Sequence, residues 1–213
     1  MVRLAYATVG VVLALALPVR AQSGYIGPWA EMPEGTYVSI IGGAAFLEDM
    51  EEISNGMDVC AVFETGWAAS VALGAGVGDD HFRVEAEVGY LSAGVNDIDV
   101  SGFTVTDVSG DLYGVAVMFN GYYDLYLSDT LGGYVGGGLG WAFTNIDADG
   151  VIPGAGTVAA DDSDADFAWQ VRAGLAVELR EGMVLTVGYR LFDMGVETEP
   201  VAHIAEIGLR LSF

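Results

Sequence analysis

From Ile207 to Phe213 the side chains alternate strictly: Ile207, Leu209, Leu211 and Phe213 are apolar, whereas Gly208, Arg210 and Ser212 are small or polar. Successive residues of a strand point to opposite faces, so such a segment has one greasy face and one that is not. The pattern recurs in segments of about ten residues. We read eight strands, at 37–46, 66–77, 82–93, 112–125, 131–144, 167–179, 183–192 and 203–213. In the sixth, Phe167, Trp169, Val171, Leu175, Val177 and Leu179 share one face, and Ala168, Gln170, Arg172, Gly174, Ala176 and Glu178 share the other.

The chain is 53% hydrophobic with a mean hydropathy of +0.45, yet it holds 30 Asp and Glu against 7 Lys and Arg, for a net charge of −23. Residues 1–21 have the form of a secretory signal peptide: Arg3, an apolar stretch, then small apolar residues at Val19 and Ala21. Beyond it no apolar run is long enough for a membrane helix. A bilayer would therefore be crossed by a closed barrel, since an open sheet leaves backbone groups unsatisfied in hydrocarbon. The expected fold is all-β, an eight-stranded antiparallel up-and-down transmembrane β-barrel over 37–213, preceded by a short periplasmic segment at 22–36.

An even strand number places both ends on one side. The connections at 78–81, 126–130 and 180–182 are short and those at 47–65, 94–111, 145–166 and 193–202 long, which reads as periplasmic turns and external loops. The long connections carry 19 of the 30 acids and no Lys or Arg. So anionic a chain, without lysine, is unsuited to binding nucleic acid. Cys60 is the only cysteine, which excludes an intrachain disulfide. Trp67, Tyr90, Tyr113, Trp141, Phe143, Trp169 and Tyr189 fall at the long-loop ends on the outward parity, as an aromatic girdle does.

Arg83, Arg172, Arg190 and Arg210 fall on the inward parity together with Glu85, Glu87, Asp124, Glu178 and Glu206. An eight-stranded barrel is just wide enough for side chains to fill, so these charges are expected to meet each other. Arg172 is expected near Glu87 or Glu206, and Arg83 near Asp124 toward the periplasm. The rival reading is an ion path gated by the same pairs. Gly136, Gly138 and Gly140 would leave room for longer side chains opposite.

Asn145 to Gly150 resembles the start of a calcium loop, but Gly156 stands where a bidentate Glu is required. Asp147, Asp149, Asp161, Asp162 and Asp164 form a solvated acidic stretch, with shared weak binding of calcium or magnesium as the alternative. His203 follows Glu197 and Glu199, but no serine is close in sequence to complete a hydrolase triad. The sequence implies no cofactor.

Segments 63–67 (FETGW), 82–90 (FRVEAEVGY), 134–140 (YVGGGLG) and 206–213 (EIGLRLSF) resemble the outer-membrane β-barrel family of opacity-type adhesins and small Gram-negative surface antigens. The resemblance implies location in the outer membrane after signal cleavage, contact with outer-membrane lipids and lipopolysaccharide, and insertion by the outer-membrane assembly machinery. It makes Leu209, Leu211 and Phe213 the assembly signal, with Ala205 departing from the aromatic usual upstream. Deleting Phe213 is expected to lower the amount of heat-modifiable barrel in outer-membrane fractions; an unchanged amount contradicts the signal. The resulting expectation is a non-enzymatic surface protein whose acidic loops meet cations, lipopolysaccharide or an external protein. A narrow porin-like channel and a lipid A-modifying enzyme are the alternatives.

Overall fold

The computed structural model describes residues 35–54, 57–78, 81–100, 103–152, 156–194 and 201–213, with side chains described outside 50–61, 96–109 and 146–164. The proposed signal peptide, most of the periplasmic segment, Glu197 and Glu199 therefore lie outside the described residues, as do the side chains of Cys60 and of Asp147, Asp149, Asp161, Asp162 and Asp164. The strands are β1 (Thr36–Leu47), β2 (Met50–Ser54), β3 (Met57–Phe63), β4 (Gly66–Gly76), β5 (Phe82–Val100), β6 (Phe103–Tyr126), β7 (Leu131–Ile152), β8 (Gly156–Arg180), β9 (Met183–Asp193) and β10 (Ala202–Ser212).

Eight of them close a barrel. The ladder runs β1, β4, β5, β6, β7, β8, β9, β10, and the last strand pairs back onto the first, Tyr37 opposite Ser212 and Leu47 opposite Ala202, all antiparallel. Closure removes the sheet edges that hydrocarbon would not tolerate. Gly78 and Gly182 take φ of 74° and 73° in two of the tight turns, a conformation that side chains with a Cβ disfavour.

Three long connections differ from the loops expected of them. β8 has 25 residues and β6 has 24, where about 9–11 tilted residues span a bilayer. The surplus continues the ladders outward: Val100 pairs with Phe103, and Ile152 with Gly156. Within 47–65, β2 and β3 form a hairpin that adds to the outer part of β5. Register shifts at Gly94/Ile98 and Thr106/Ser109 mark where the sheet leaves the barrel, a common position for bulges.

The barrel wall is apolar and bare. Leu139, Trp141, Val171, Leu175, Val187 and Ile207 are all exposed, and Phe119 is 68% exposed. Trp67, Tyr90, Tyr113, Trp141, Phe143 and Tyr189 face outward at the external end, while Trp169 is half-buried. A second aromatic group, Phe82, Tyr123 and Tyr126 around His81, sits at the opposite end.

Candidate functional site

Inside the barrel the side chains form three layers. Nearest the periplasm, Arg83 donates from Nε to Asp124 Oδ2 at 2.7 Å and from Nη1 to Glu85 Oε1 at 2.8 Å. The Tyr37 hydroxyl donates to Glu85 at 2.9 Å and accepts from Arg83 at 3.1 Å. The Arg83 guanidinium lies 4.1 Å from the Tyr122 ring centre, in cation–π contact. Glycines make this crowding possible: a Cβ at Gly74 would meet the Tyr37 ring, one at Gly136 the Tyr122 ring, and ones at Gly174 and Gly188 the Tyr134 hydroxyl. Gly138 and Gly140 likewise leave the space that Asn120 and Met118 occupy.

The middle layer is a ring of alternating charge. Arg172 bonds Glu87 at 2.9 Å and Glu206 at 3.5 Å; Arg190 bonds Glu87 at 3.2 Å and Glu206 at 3.0 Å. Each guanidinium thus bridges both carboxylates. Glu87 comes from β5 and Arg190 from β9, four strands apart in a barrel of eight, so the ring crosses the bore. Asn120 and Gln170 donate to the second oxygen of Glu87 at 2.7 and 3.1 Å, and Gln170 also donates to Asn120 at 2.6 Å. Arg172 reaches down to the Tyr122 hydroxyl at 2.8 Å, tying the ring to the layer below. Every member of the ring is less than a tenth exposed.

Four cations, Arg83, Arg172, Arg190 and Arg210, face four buried acids, Glu85, Glu87, Asp124 and Glu206. Arg210 differs from the other three: among the described residues no carboxylate pairs with it, and its guanidinium lies 5.1 Å from the Tyr37 ring centre. Glu178 is on the inward parity, yet it lies at the turn end of β8 beside Glu181 and has no ion pair among the described residues.

The third layer, toward the exterior, is apolar. Leu91, Leu112, Met118, Phe192, Met194 and Ile204 pack with Ala45, Ala68, Ala142 and Ala168 into a buried cluster. The polar-inside pattern of β8 therefore holds for the lower bore and not for the upper. Between this cluster and the ring a cavity of about 20 Å³ remains. That holds about one water.

The two histidines are outside the bore. His81 lies between the rings of Tyr123 and Tyr126 at the turn end. His203 is on the outer wall at the external end, hydrogen-bonded to the Tyr189 hydroxyl and, at 2.9 Å, to Glu48. Its two ring nitrogens are thus engaged by a phenol and a carboxylate, with no serine between them. Among the described residues no group of three or more His, Cys, Asp or Glu is placed to hold a metal.

A closed antiparallel barrel with an apolar wall, aromatic ends and a charged interior is an outer-membrane β-barrel. The chain belongs to the outer membrane protein β-barrel domain family, which matches residues 9–213, and its place is the outer membrane of a Gram-negative bacterium. Neisserial surface protein A has a similar fold, at 17% identity, 84% coverage of this chain, 97% of that chain and a TM-score of 0.52. The attachment invasion locus protein of Yersinia pestis is similar at 14% identity, covering 84% of this chain and 99% of that one with a TM-score of 0.46. No curated protein matches the chain.

Proposed function

We propose that the protein is a non-enzymatic surface barrel that acts through its acidic external hairpins, the bore serving to hold the barrel rigid. The observation that carries this reading is the charge ring spanning from β5 to β9 beneath an apolar layer, the two together filling the bore among the described residues. What remains to act is the part outside the membrane. It is strongly anionic, with 19 acids and no Lys or Arg in the four external connections, so the partner is a cationic surface or an anionic one bridged by divalent cations. Bare anionic surfaces are repelled within about a Debye length, ~8 Å at physiological salt. Lipopolysaccharide contact through bridging cations belongs to the same reading.

Poly-L-lysine immobilised on a sensor is a direct probe. The full chain in nanodiscs is expected to bind it saturably, and a variant with Asp147, Asp149, Asp161, Asp162 and Asp164 all changed to Asn to lose most of that binding while keeping heat-modifiable mobility. Equal binding by the two proteins contradicts an acidic recognition surface. A hydrolytic role predicts instead that His203→Ala alters the lipid A mass spectrum of the host; an unaltered spectrum is expected.

A further inference from the structure

On the outer wall a phenol, an imidazole and a carboxylate meet. Tyr189 of β9 and His203 of β10 both face outward. Tyr189 pairs with Ala205 and His203 with Leu191, so the two stand on a diagonal, within reach for aromatic side chains. On the other side of β10 the seam to β1 runs one step past its last ladder pair. There the Glu48 N–H donates to Val201 O at 3.0 Å, which sets Glu48 on the opposite diagonal from His203. The imidazole is held from both sides, at Nδ1 by the Tyr189 hydroxyl and at Nε2 by Glu48 Oε1 at 2.9 Å. A neutral ring with its proton on Nε2 serves both contacts: it donates to the carboxylate and accepts from the phenol.

Hydroxyl, imidazole and carboxylate in that order make an activated nucleophile: a base within hydrogen-bond reach of the O–H, and a third group that orients the base. The hydroxyl is also reachable. Tyr189 is 47% exposed, and its cross-strand neighbours on the outer face, Ala173 and Ala205, are too small to shield it. The other histidine is built differently: His81 lies between the rings of Tyr123 and Tyr126, but its Nδ1 meets the backbone oxygen of Asp124 at 3.1 Å. The chain contains no lysine, so the amine that ordinarily competes for acyl groups is missing.

We propose that Tyr189 is a site of covalent acylation, its hydroxyl activated by His203 and His203 positioned by Glu48. The substrate class is an acyl donor with a good leaving group, a thioester or an aryl ester, that reaches the outer surface of the membrane. The phenol oxygen bonds to the donor's carbonyl carbon while its proton passes to His203 Nδ1. The adduct then expels the thiol or aryl alcohol, which leaves with that proton, and Glu48 stabilises the imidazolium formed between the two steps. The product is an O-acyl tyrosine in the aromatic girdle. One such event per chain is a modification and not turnover, so it stands beside the non-enzymatic reading without altering it.

The probe is p-nitrophenyl acetate, added to the full chain in detergent micelles, with nitrophenolate read by absorbance and the acetylated residue by peptide mass mapping. The expected result is a burst of one nitrophenolate per chain, with the acetyl group on Tyr189, and no burst from Tyr189→Phe. His203→Ala is expected to slow the burst about 100-fold, the lower end of what a positioned base supplies, and added imidazole to restore much of the rate. Glu48→Gln keeps the shape without the charge and is expected to slow the burst as well. All three side chains stand on the outer wall, so heat-modifiable mobility is expected to be unchanged in every variant. Acetyl groups spread evenly over the exposed tyrosines, or a His203→Ala burst as fast as wild type, overturn the proposal. Steady release of nitrophenolate without acetylated Tyr189 overturns it too, because water is then the group under attack by the ester.

Discussion

Glu87→Ala is expected to cost about 3–5 kcal/mol of stability, the range for breaking a buried ion pair by removing one partner. Glu87 is 1% exposed and accepts from Arg172, Arg190, Asn120 and Gln170. Without it two guanidiniums share Glu206, Asn120 loses its carboxylate acceptor and Gln170 keeps only Asn120. Urea titration in detergent, followed by heat-modifiable mobility, reads the loss. Glu87→Met combined with Arg172→Met removes one charge of each sign and leaves Arg190 with Glu206, so the double variant should recover much of the stability. Losses that simply add would show that the ring is not a coupled unit.

Leu139→Arg is the second large effect. Leu139 is 58% exposed on the barrel wall, near the middle of the spanning part of β7. An arginine facing lipid at the midplane of a barrel costs about 2–4 kcal/mol. The same substitution at Thr157, on the part of β8 that stands in water, should stay within about 0.5 kcal/mol. Folding titrations into lipid vesicles separate the two; equal costs at both sites would contradict the assignment of which parts of β7 and β8 meet the membrane.

That contrast also explains what the sequence revealed. Period-2 alternation appears where the two faces of a strand meet different surroundings, as Val171 and Arg172 do, and the eight spanning strands lie close to where the pattern puts them. Outside hydrocarbon nothing requires the two faces of a strand to differ. The stretch from Gly156 to Asp166 carries no such contrast, and its strand is invisible to the alternation although the backbone pairs throughout. The apolar upper bore left a signal that parity alone hid: Tyr90 with Leu91, Leu112 with Tyr113, and Leu191 with Phe192 are apolar on both parities at the external strand ends. Such pairs announce a dry interior as well as a greasy wall.

The inward set of arginines and acids follows from parity, but who meets whom does not. Arg83 and Glu85 are two residues apart on one strand, so their contact is local. Glu87 and Arg190 approach across the bore, and that depends on strand tilt and stagger, which fix the height of each residue. Arg210 shows the same limit from the other side. Its inward position was legible, whereas its place over the Tyr37 ring, with Asp124 and Glu85 already held by Arg83, required the three-dimensional arrangement.

Single-channel recording of the purified barrel in planar bilayers tests the central claim most directly. A bore closed by the Arg172, Glu87, Arg190 and Glu206 ring beneath an apolar layer predicts no reproducible conductance steps at neutral pH. Stable, uniform steps from the wild-type protein would contradict it.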